Sequence, residues 1–253
     1  MSVHSEIGII GGSGFYHLNL DVTPDDSPDY LDLPTPFSET VIRLSLEKLK
    51  GGHVYFLPRH GIQHTFPPHK INYRANLWAL KEAGVKKIIA VNAVGGIGAN
   101  LVPGSLVLPD QLIDYTWGRE HSFFDGLNSL HDHVDFTSPY DDKLREVLIS
   151  AATDLDMPII KQACFACTQG PRLETAAEIQ RLKRDGCDIV GMTGMPEAAL
   201  ARELNIAYAS VALVVNPAAG LSHELITIEK IKSVLDAGLT DVRKLLSTSL
   251  FKL

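Results

Sequence analysis

The chain of 253 residues lacks any run of about five basic residues, and its formal net charge is −7. Nucleic-acid binding is therefore not expected, because that affinity comes from clustered Lys and Arg neutralising phosphates. A small anion needs only two or three local donors and is not excluded. Cysteine is scarce. Cys164, Cys167 and Cys187 cannot build an even disulfide framework. Cys164-Phe-Ala-Cys167 has the spacing of a redox or zinc pair, but no second pair follows, and in a strand its two thiols point to opposite faces. Buried structural cysteines are the expectation. No apolar run approaches the roughly 20 residues of a transmembrane helix, so no membrane partner is expected. The opening MSVHSEIGII has no basic start, so no secretory leader is expected and a reducing cytoplasm is the expected setting.

Hydrophobic residues make up 45% of the chain, enough for the core of one large domain, and no linker or repeat interrupts residues 1–253. Ile7, Ile9 and Ile10 read as a short first strand, residues 19–39 as a polar surface excursion, and TVIRLSLEKLKGGHVYFLPRHG as two strands around Gly51-Gly52. NYRANLWALKEAG has helical spacing stopped by glycine, and VKKIIAVNAVGGIG is a buried strand entering a glycine turn. GSLVLPDQLIDYT reads as one more strand, and a helix is expected to start at Ser138-Pro139. ETAAEIQRLKRDG is a helix, CDIVGMTGMPEAALARELN runs from strand into helix, and IAYASVALVVN is the last strand. Thr227 is expected to cap a terminal helix with Leu235 and Leu239 on one face. Alternating strands and helices predict an α/β fold, a central mixed twisted sheet flanked by helices.

Several segments combine small or polar residues with strand ends. GIIGGSGF sets Gly11, Gly12 and Gly14 around Ser13. Exposed backbone N–H groups there suit phosphate, and a plain tight turn is the alternative. It is not a dinucleotide fingerprint, because Gly12-Ser13-Gly14 is followed by Phe15, Tyr16 and His17, so the third glycine is missing, and no apolar helix follows, which argues against a Rossmann oxidoreductase. PRHGIQHTFPPHK offers Arg59, whose planar fork matches two phosphate oxygens, and His60. Its histidines lack zinc spacing, and no metal is expected. Asn92 and Ala93 open the glycine turn of VNAVGGIG, and Met192 and Thr193 break a strand before a helix. TQGPRLETAAE carries Leu173 just before a helix, with Glu174 and Thr175 able to bond its first turn. A ligand-facing loop and an ordinary helix start are equally consistent with that segment. Finally, the apolar strand LVVNPAAG ends on the amide of Asn216, followed by small residues. A buried amide needs partners, supplied either by nearby backbone or by a ligand.

Taken in order, GIIGGSGF, PRHGIQHTFPPHKINYRANLWALKEAG, VNAVGGIG, SFFDG, TQGPRLETAAE and MTGMPEAALARELNIAYAS resemble the trimeric purine nucleoside phosphorylase family, and most closely its methylthioadenosine and methylthioinosine branch. The resemblance covers nearly the whole chain. It implies reversible phosphorolysis of a purine nucleoside with inorganic phosphate as co-substrate and no cofactor. It further implies phosphate among Ser13, Arg59, His60, Asn92, Ala93 and Thr193, with Asn92 where the methylthioadenosine enzymes typically carry Thr. Met192 is implied at the ribose, and Leu173 replaces the usual Phe against the base. Asn216 and Ala218 stand where the adenine-accepting branch has two Asp, so a 6-oxopurine is the expected leaving group, with Asn216, Arg59 and His60 the expected catalytic set. Ile228 and Ile231 match the family's pocket for the 5′ substituent, joined by His133 from a neighbouring subunit. The two isoleucines favour an S-methyl group over a hydroxyl. The expected substrate is therefore S-methyl-5′-thioinosine. Ordinary 6-oxopurine nucleosides and methylthioadenosine are the alternatives. A homotrimer is expected, with a hexamer the other possibility.

Overall fold

The computed structural model describes residues 4–15, 18, 29–124 and 133–253; of the segments read above, Tyr16, His17, residues 19–28 and the end of SFFDG lie outside them. The described residues form one mixed sheet of 11 strands flanked by five α-helices, the single-domain α/β architecture expected from the sequence.

The sheet is organised around β5 (Lys87–Gly96), which is buried over nearly its whole length and correspondingly apolar on both faces. It pairs in parallel with β1 (Ile7–Gly11) and with β11 (Ala207–Pro217), and antiparallel with β10 (Ile189–Gly191) at Gly95 and Gly96. Beyond β1 come β4 (Gly52–Pro58), parallel, then β3 (Ser38–Leu49) and β2 (Asp29–Thr35), antiparallel. Beyond β10 come β9 (Cys164–Cys167) and β7 (Gln111–Asp114), and beyond β11 the short β6 (Leu106–Val107) and β8 (Ile159–Ile160). Because β1, β4, β5 and β11 run the same way, their C-terminal ends deliver Gly12, Arg59, Gly95 and Asn216 to one end of the sheet. Ligands of parallel α/β sheets bind at that end.

The helices start where side chains can take up orphan N–H groups. Asn72 caps α1 (Tyr73–Glu82) by accepting from the Ala75 N–H, and Thr175 and Glu178 form a reciprocal capping box on α3 (Ala176–Arg184). Thr227 accepts from the Lys230 N–H at the start of α5 (Ile228–Leu250), as expected. Leu235, Leu239, Val242, Leu245 and Leu246 of α5 pack with Val211, Leu213 and Val215 of β11 in the largest core cluster. A shorter helix, α4 (Glu197–Glu203), follows β10. No described helix is long and apolar enough to cross a membrane.

Three local expectations are corrected. Residues 29–35, read as surface excursion, form β2: Leu31 and Leu33 pack inward, while Asp32 points out to a paired contact with Arg43 at 2.6 Å. The segment read as one strand at 104–116 is two, β6 and β7, interrupted around Pro109, which has no N–H for a ladder. The helix α2 (Asp142–Asp154) is capped by Asp141, whose carboxylate accepts from the Leu144 N–H, and does not start at Ser138-Pro139. Cys164 and Cys167 fall into different core clusters, as their opposite faces require.

Candidate active site

The end of the sheet encloses about 850 Å³ of atom-free space, part of it open to solvent. Its wall carries Ser13, Arg59, His60, Ala93, Leu173, Met192, Thr193, Asn216, Ala218 and Ile231, ten of the thirteen side chains singled out in the sequence. They come from seven separate stretches of chain, which the parallel strand ends and their loops bring together.

Ser13 lies in a turn closed by the Phe15 N–H donating to the Gly12 carbonyl at 3.0 Å. Gly14 takes φ +77°, which turns with a left-handed third residue demand. Gly12 is required for a different reason: a Cβ there would stand 2.7 Å from the Val91 carbonyl oxygen and 3.0 Å from Arg59 Nη1. The missing side chain lets Arg59 lie against the turn.

Arg59 is buried, and its fork is already gripped. Nε and Nη2 donate to the two carboxylate oxygens of Glu197 at 2.7 and 2.8 Å, and Nη1 donates to the Val91 carbonyl at 2.9 Å. Glu197 Oε1 also accepts from the Tyr208 hydroxyl at 2.8 Å. Burial opposes the guanidinium charge, but the charge and hydrogen bonds of Glu197 outweigh it and hold the Arg59 pKa above its ordinary value. The sequence-level idea of a free fork matching two phosphate oxygens is therefore corrected. Arg59 offers an anion only the N–H groups that Glu197 and Val91 leave over, from a position fixed by the pair.

His60 is held by a contact of 2.8 Å between Nδ1 and the Phe66 carbonyl. A carbonyl only accepts, so Nδ1 carries the proton and Nε2 is left as an acceptor. Burial, with Arg59 and His64 nearby, pushes the His60 pKa down to about 4 although the Phe66 bond opposes it. At neutral pH the ring is uncharged and can take a phosphate oxygen only where that oxygen bears a proton.

Asn216 lies at a bulge. Val214 of β11 stands opposite Val94 and Asn216 opposite Gly95, so Val215 is an extra residue, and both Val215 and Asn216 reach the cavity wall. Asn216 Nδ2 donates to the Pro217 carbonyl at 2.7 Å. Local backbone thus satisfies one proton of the amide, while its second proton and its oxygen remain available. Glu174 also lines the cavity and is the one acidic side chain on its described wall; Oε1 accepts from the Thr168 hydroxyl at 2.6 Å. The sequence reading had offered Glu174 to the first turn of α3, but Thr175 and Glu178 fill that role.

Three expected residues do not line the cavity. Asn92 stands behind Thr193, its amide engaged by Thr193 and Ser210. Ile228, one helical turn before Ile231, is 78% exposed as the first residue of α5, and Ile226, just before the cap, takes a place on the wall instead. His133 is exposed in the single chain. Reasoning from sequence also missed Arg119, which is buried and donates to the carbonyls of Thr168, Gln169, Met192 and Met195, tying together the two loops that carry Glu174 and Met192. Its only signal was its place in YTWGREHSFFDG. Among the described residues no group of three or more His, Cys, Asp or Glu is arranged to hold a metal ion.

The family model described as the phosphorylase superfamily matches residues 6–250. A protein of Pseudomonas syringae pv. tomato named probable S-methyl-5′-thioinosine phosphorylase is 49% identical over 241 residues, 94% of this chain and 96% of that protein. A 6-oxopurine nucleoside phosphorylase of Pyrococcus furiosus is 44% identical over 245 residues, 95% of this chain and 90% of that protein. Among solved structures, methylthioadenosine phosphorylase from Schistosoma mansoni in complex with adenine superposes with a TM-score of 0.88 at 33% identity, covering 97% of this chain and 90% of that one.

Proposed function

The chain belongs to the phosphorylase superfamily, and from that premise we propose that it cleaves S-methyl-5′-thioinosine with inorganic phosphate to hypoxanthine and S-methyl-5-thioribose 1-phosphate. It is a pentosyltransferase: phosphate bonds to C1′ as the C1′–N9 bond breaks, and the purine leaves with the bonding pair and takes up a proton. The barrier is lowered by positioning and electrostatics, because C1′ gains positive charge and the base negative charge in the transition state.

The observation that carries the choice of base is a cavity holding Asn216 and Glu174, with Ala218 beside them. A 6-oxopurine presents a donor at N1 and an acceptor at O6, whereas adenine presents an acceptor at N1 and donors at the 6-amino group. The Glu174 oxygen left over from Thr168 accepts from N1–H, and the second Asn216 proton meets O6. Phosphate sits among Ser13, Arg59, His60, Ala93 and Thr193, with Asn92 acting behind Thr193. Met192 packs on the ribose and Leu173 on the base. Ile226 and Ile231 offer an apolar wall to the 5′ end, which suits S-methyl better than hydroxyl. We further assign a homotrimer in which His133 completes a neighbour's site, acting in the cytoplasm on a small nucleoside without metal or cofactor.

The relative from P. furiosus favours a second reading, an ordinary 6-oxopurine nucleoside phosphorylase. Phosphorolysis of methylthioinosine, methylthioadenosine, inosine and adenosine measured side by side separates the two. The highest kcat/KM on methylthioinosine supports the first reading. A preference for inosine replaces it with the second, and product formation without added phosphate overturns both.

A further inference from the structure

Thr193 is a weak choice for an anion site unless something decides which way its hydroxyl proton points. A hydroxyl carries one proton and two lone pairs, so it attracts or repels a phosphate oxygen according to its rotation. In this structure that rotation is governed from behind. Asn92 Nδ2 donates to Thr193 Oγ1 at 2.9 Å, and Asn92 Oδ1 accepts from Ser210 Oγ at 2.9 Å. Asn92 and Ser210 are both 1% exposed, on the paired strands β5 and β11, where Ser210 stands opposite Ala90 and Asn92 opposite Ala212. As the side chains are placed, Ser210 is the donor at one end of this relay and Thr193 the acceptor at the other. The hydroxyl of Ser210 occupies the amide oxygen, which presents the amide N–H to Thr193. With a lone pair so occupied, Thr193 turns its own proton toward the cavity, whose wall it forms.

We propose that Ser210 is a positioning residue for the co-substrate, acting through Asn92 to commit the Thr193 hydroxyl as a donor to the phosphate. The proposal rests on the reading that Thr193 faces phosphate. Without the Ser210 hydroxyl, the Asn92 amide has no reason to keep its oxygen toward β11. Turned over, it would present that oxygen to Thr193, draw the hydroxyl proton back, and aim lone pairs at the anion. The effect is confined to the phosphate end, because neither Ser210 nor Asn92 lines the cavity.

The test is a steady-state matrix on the full-length enzyme, with phosphate and nucleoside varied independently. Ser210→Ala should raise the phosphate KM roughly 3- to 10-fold, the worth of one directed hydrogen bond, and leave the nucleoside KM within about twofold. Ser210→Cys, similar in size and still a weak donor, should fall between Ser210→Ala and the parent. In a Thr193→Val background, Ser210→Ala should not change the phosphate KM further, because the group it orients is gone. An unchanged phosphate KM in Ser210→Ala overturns the proposal, as does an equal rise in both KM values or an equal effect with Thr193 removed. If Ser210→Ala does not fold, Ser210→Cys and Asn92→Asp carry the same test. Asn92→Asp should be worse than Ser210→Ala for phosphate, since a carboxylate takes the Thr193 proton and adds a negative charge behind it, and a phosphate KM no higher than the parent's overturns the proposal. Failure of the parent enzyme to require phosphate would instead refute the functional reading, so the two failures are distinguishable.

Discussion

Replacing Glu197 by Gln should destabilise the protein severely while barely changing its shape. Both side chains of the Arg59–Glu197 pair are fully buried, and three hydrogen bonds converge on the Glu197 carboxylate, two from Arg59 and one from Tyr208. A carboxamide keeps one acceptor oxygen but turns an N–H₂ group toward a donor, and it leaves the Arg59 charge without a counter-charge. Breaking a buried pair by removing one partner costs about 3–5 kcal/mol. For a chain of this size that corresponds to a fall in melting temperature of roughly 6–20 °C, read by calorimetry at one fixed protein concentration. Arg59→Met should cost a similar amount, since it strands the carboxylate with only the Tyr208 hydroxyl. The sharper expectation concerns the sum. The triple variant Arg59→Met, Glu197→Met, Tyr208→Phe removes all three polar side chains of the cluster and should be more stable than Arg59→Met alone, although it loses the phosphate contact proposed for Arg59. The reasoning is refuted if Glu197→Gln melts within about 1 °C of the parent, or if the triple variant loses as much stability as its three single changes added together.

Asn216→Asp should depress phosphorolysis of methylthioinosine, because a carboxylate faces O6 as negative charge builds there, and adding Ala218→Asp should shift the ratio of kcat/KM toward methylthioadenosine; a ratio unmoved in both variants would leave Asn216 as a strand-end residue bonded only to Pro217. Glu174→Ala should lower kcat/KM for methylthioinosine by about 10- to 150-fold, the worth of a charge-assisted bond of roughly 1.5–3 kcal/mol, with little change in the phosphate KM; an equal loss on methylthioadenosine would refute the N1–H assignment. For His60, whose folded pKa of about 4 lies below its ordinary 6.5, the unfolded chain binds a proton that the native state refuses. Stability should therefore fall as pH drops from about 6.5 toward 4, by about 1.4 kcal/mol per unit at most. Urea unfolding of His60→Gln should lack that part of the slope, and identical slopes in the two proteins would remove the assignment. Sedimentation at assay concentration should show an oligomer, most simply a trimer; a fully active monomer would end the proposed role of His133.

Much of the site was legible because its residues follow strand ends marked by glycine or proline. Ser13 sits between Gly12 and Gly14, Arg59 follows Pro58, and Asn216 precedes Pro217. Parallel strands carry such ends to one place, so a list of strand termini is already a rough list of neighbours. What was not legible is what those residues are bonded to. Arg59 and Glu197 lie 138 residues apart, and Asn92 and Ser210 lie 118 apart. Nothing local in PEAALARE separates a glutamate opening a helix from one that enters a core. The same limit explains the reading of Asn92 as a direct phosphate donor. Its place on a strand before a glycine turn suggested the cavity, but a polar side chain with partners on the adjoining strand is satisfied there first.

The bulge at Val215 shows how local pattern and function separate. Strict alternation along β11 puts Val211, Leu213 and Val215 in one core cluster with α5, and Ala212 and Val214 in another across the sheet. Continued without interruption, alternation would carry Asn216 into the second cluster, where a free amide costs about 1–3 kcal/mol. The extra residue breaks the count just before that happens, opposite Gly95, where a Cβ would stand 3.4 Å from Asn216 Nδ2. The Pro217 carbonyl takes one of the amide's protons. An apolar strand can therefore end on a polar side chain without an unsatisfied group, while one donor and one acceptor stay free for a ligand. The small residues after Asn216 belong to the same arrangement, since Ala218 and Ala219 line the cavity beside the amide without filling it, which leaves it open to the purine proposed to bind there.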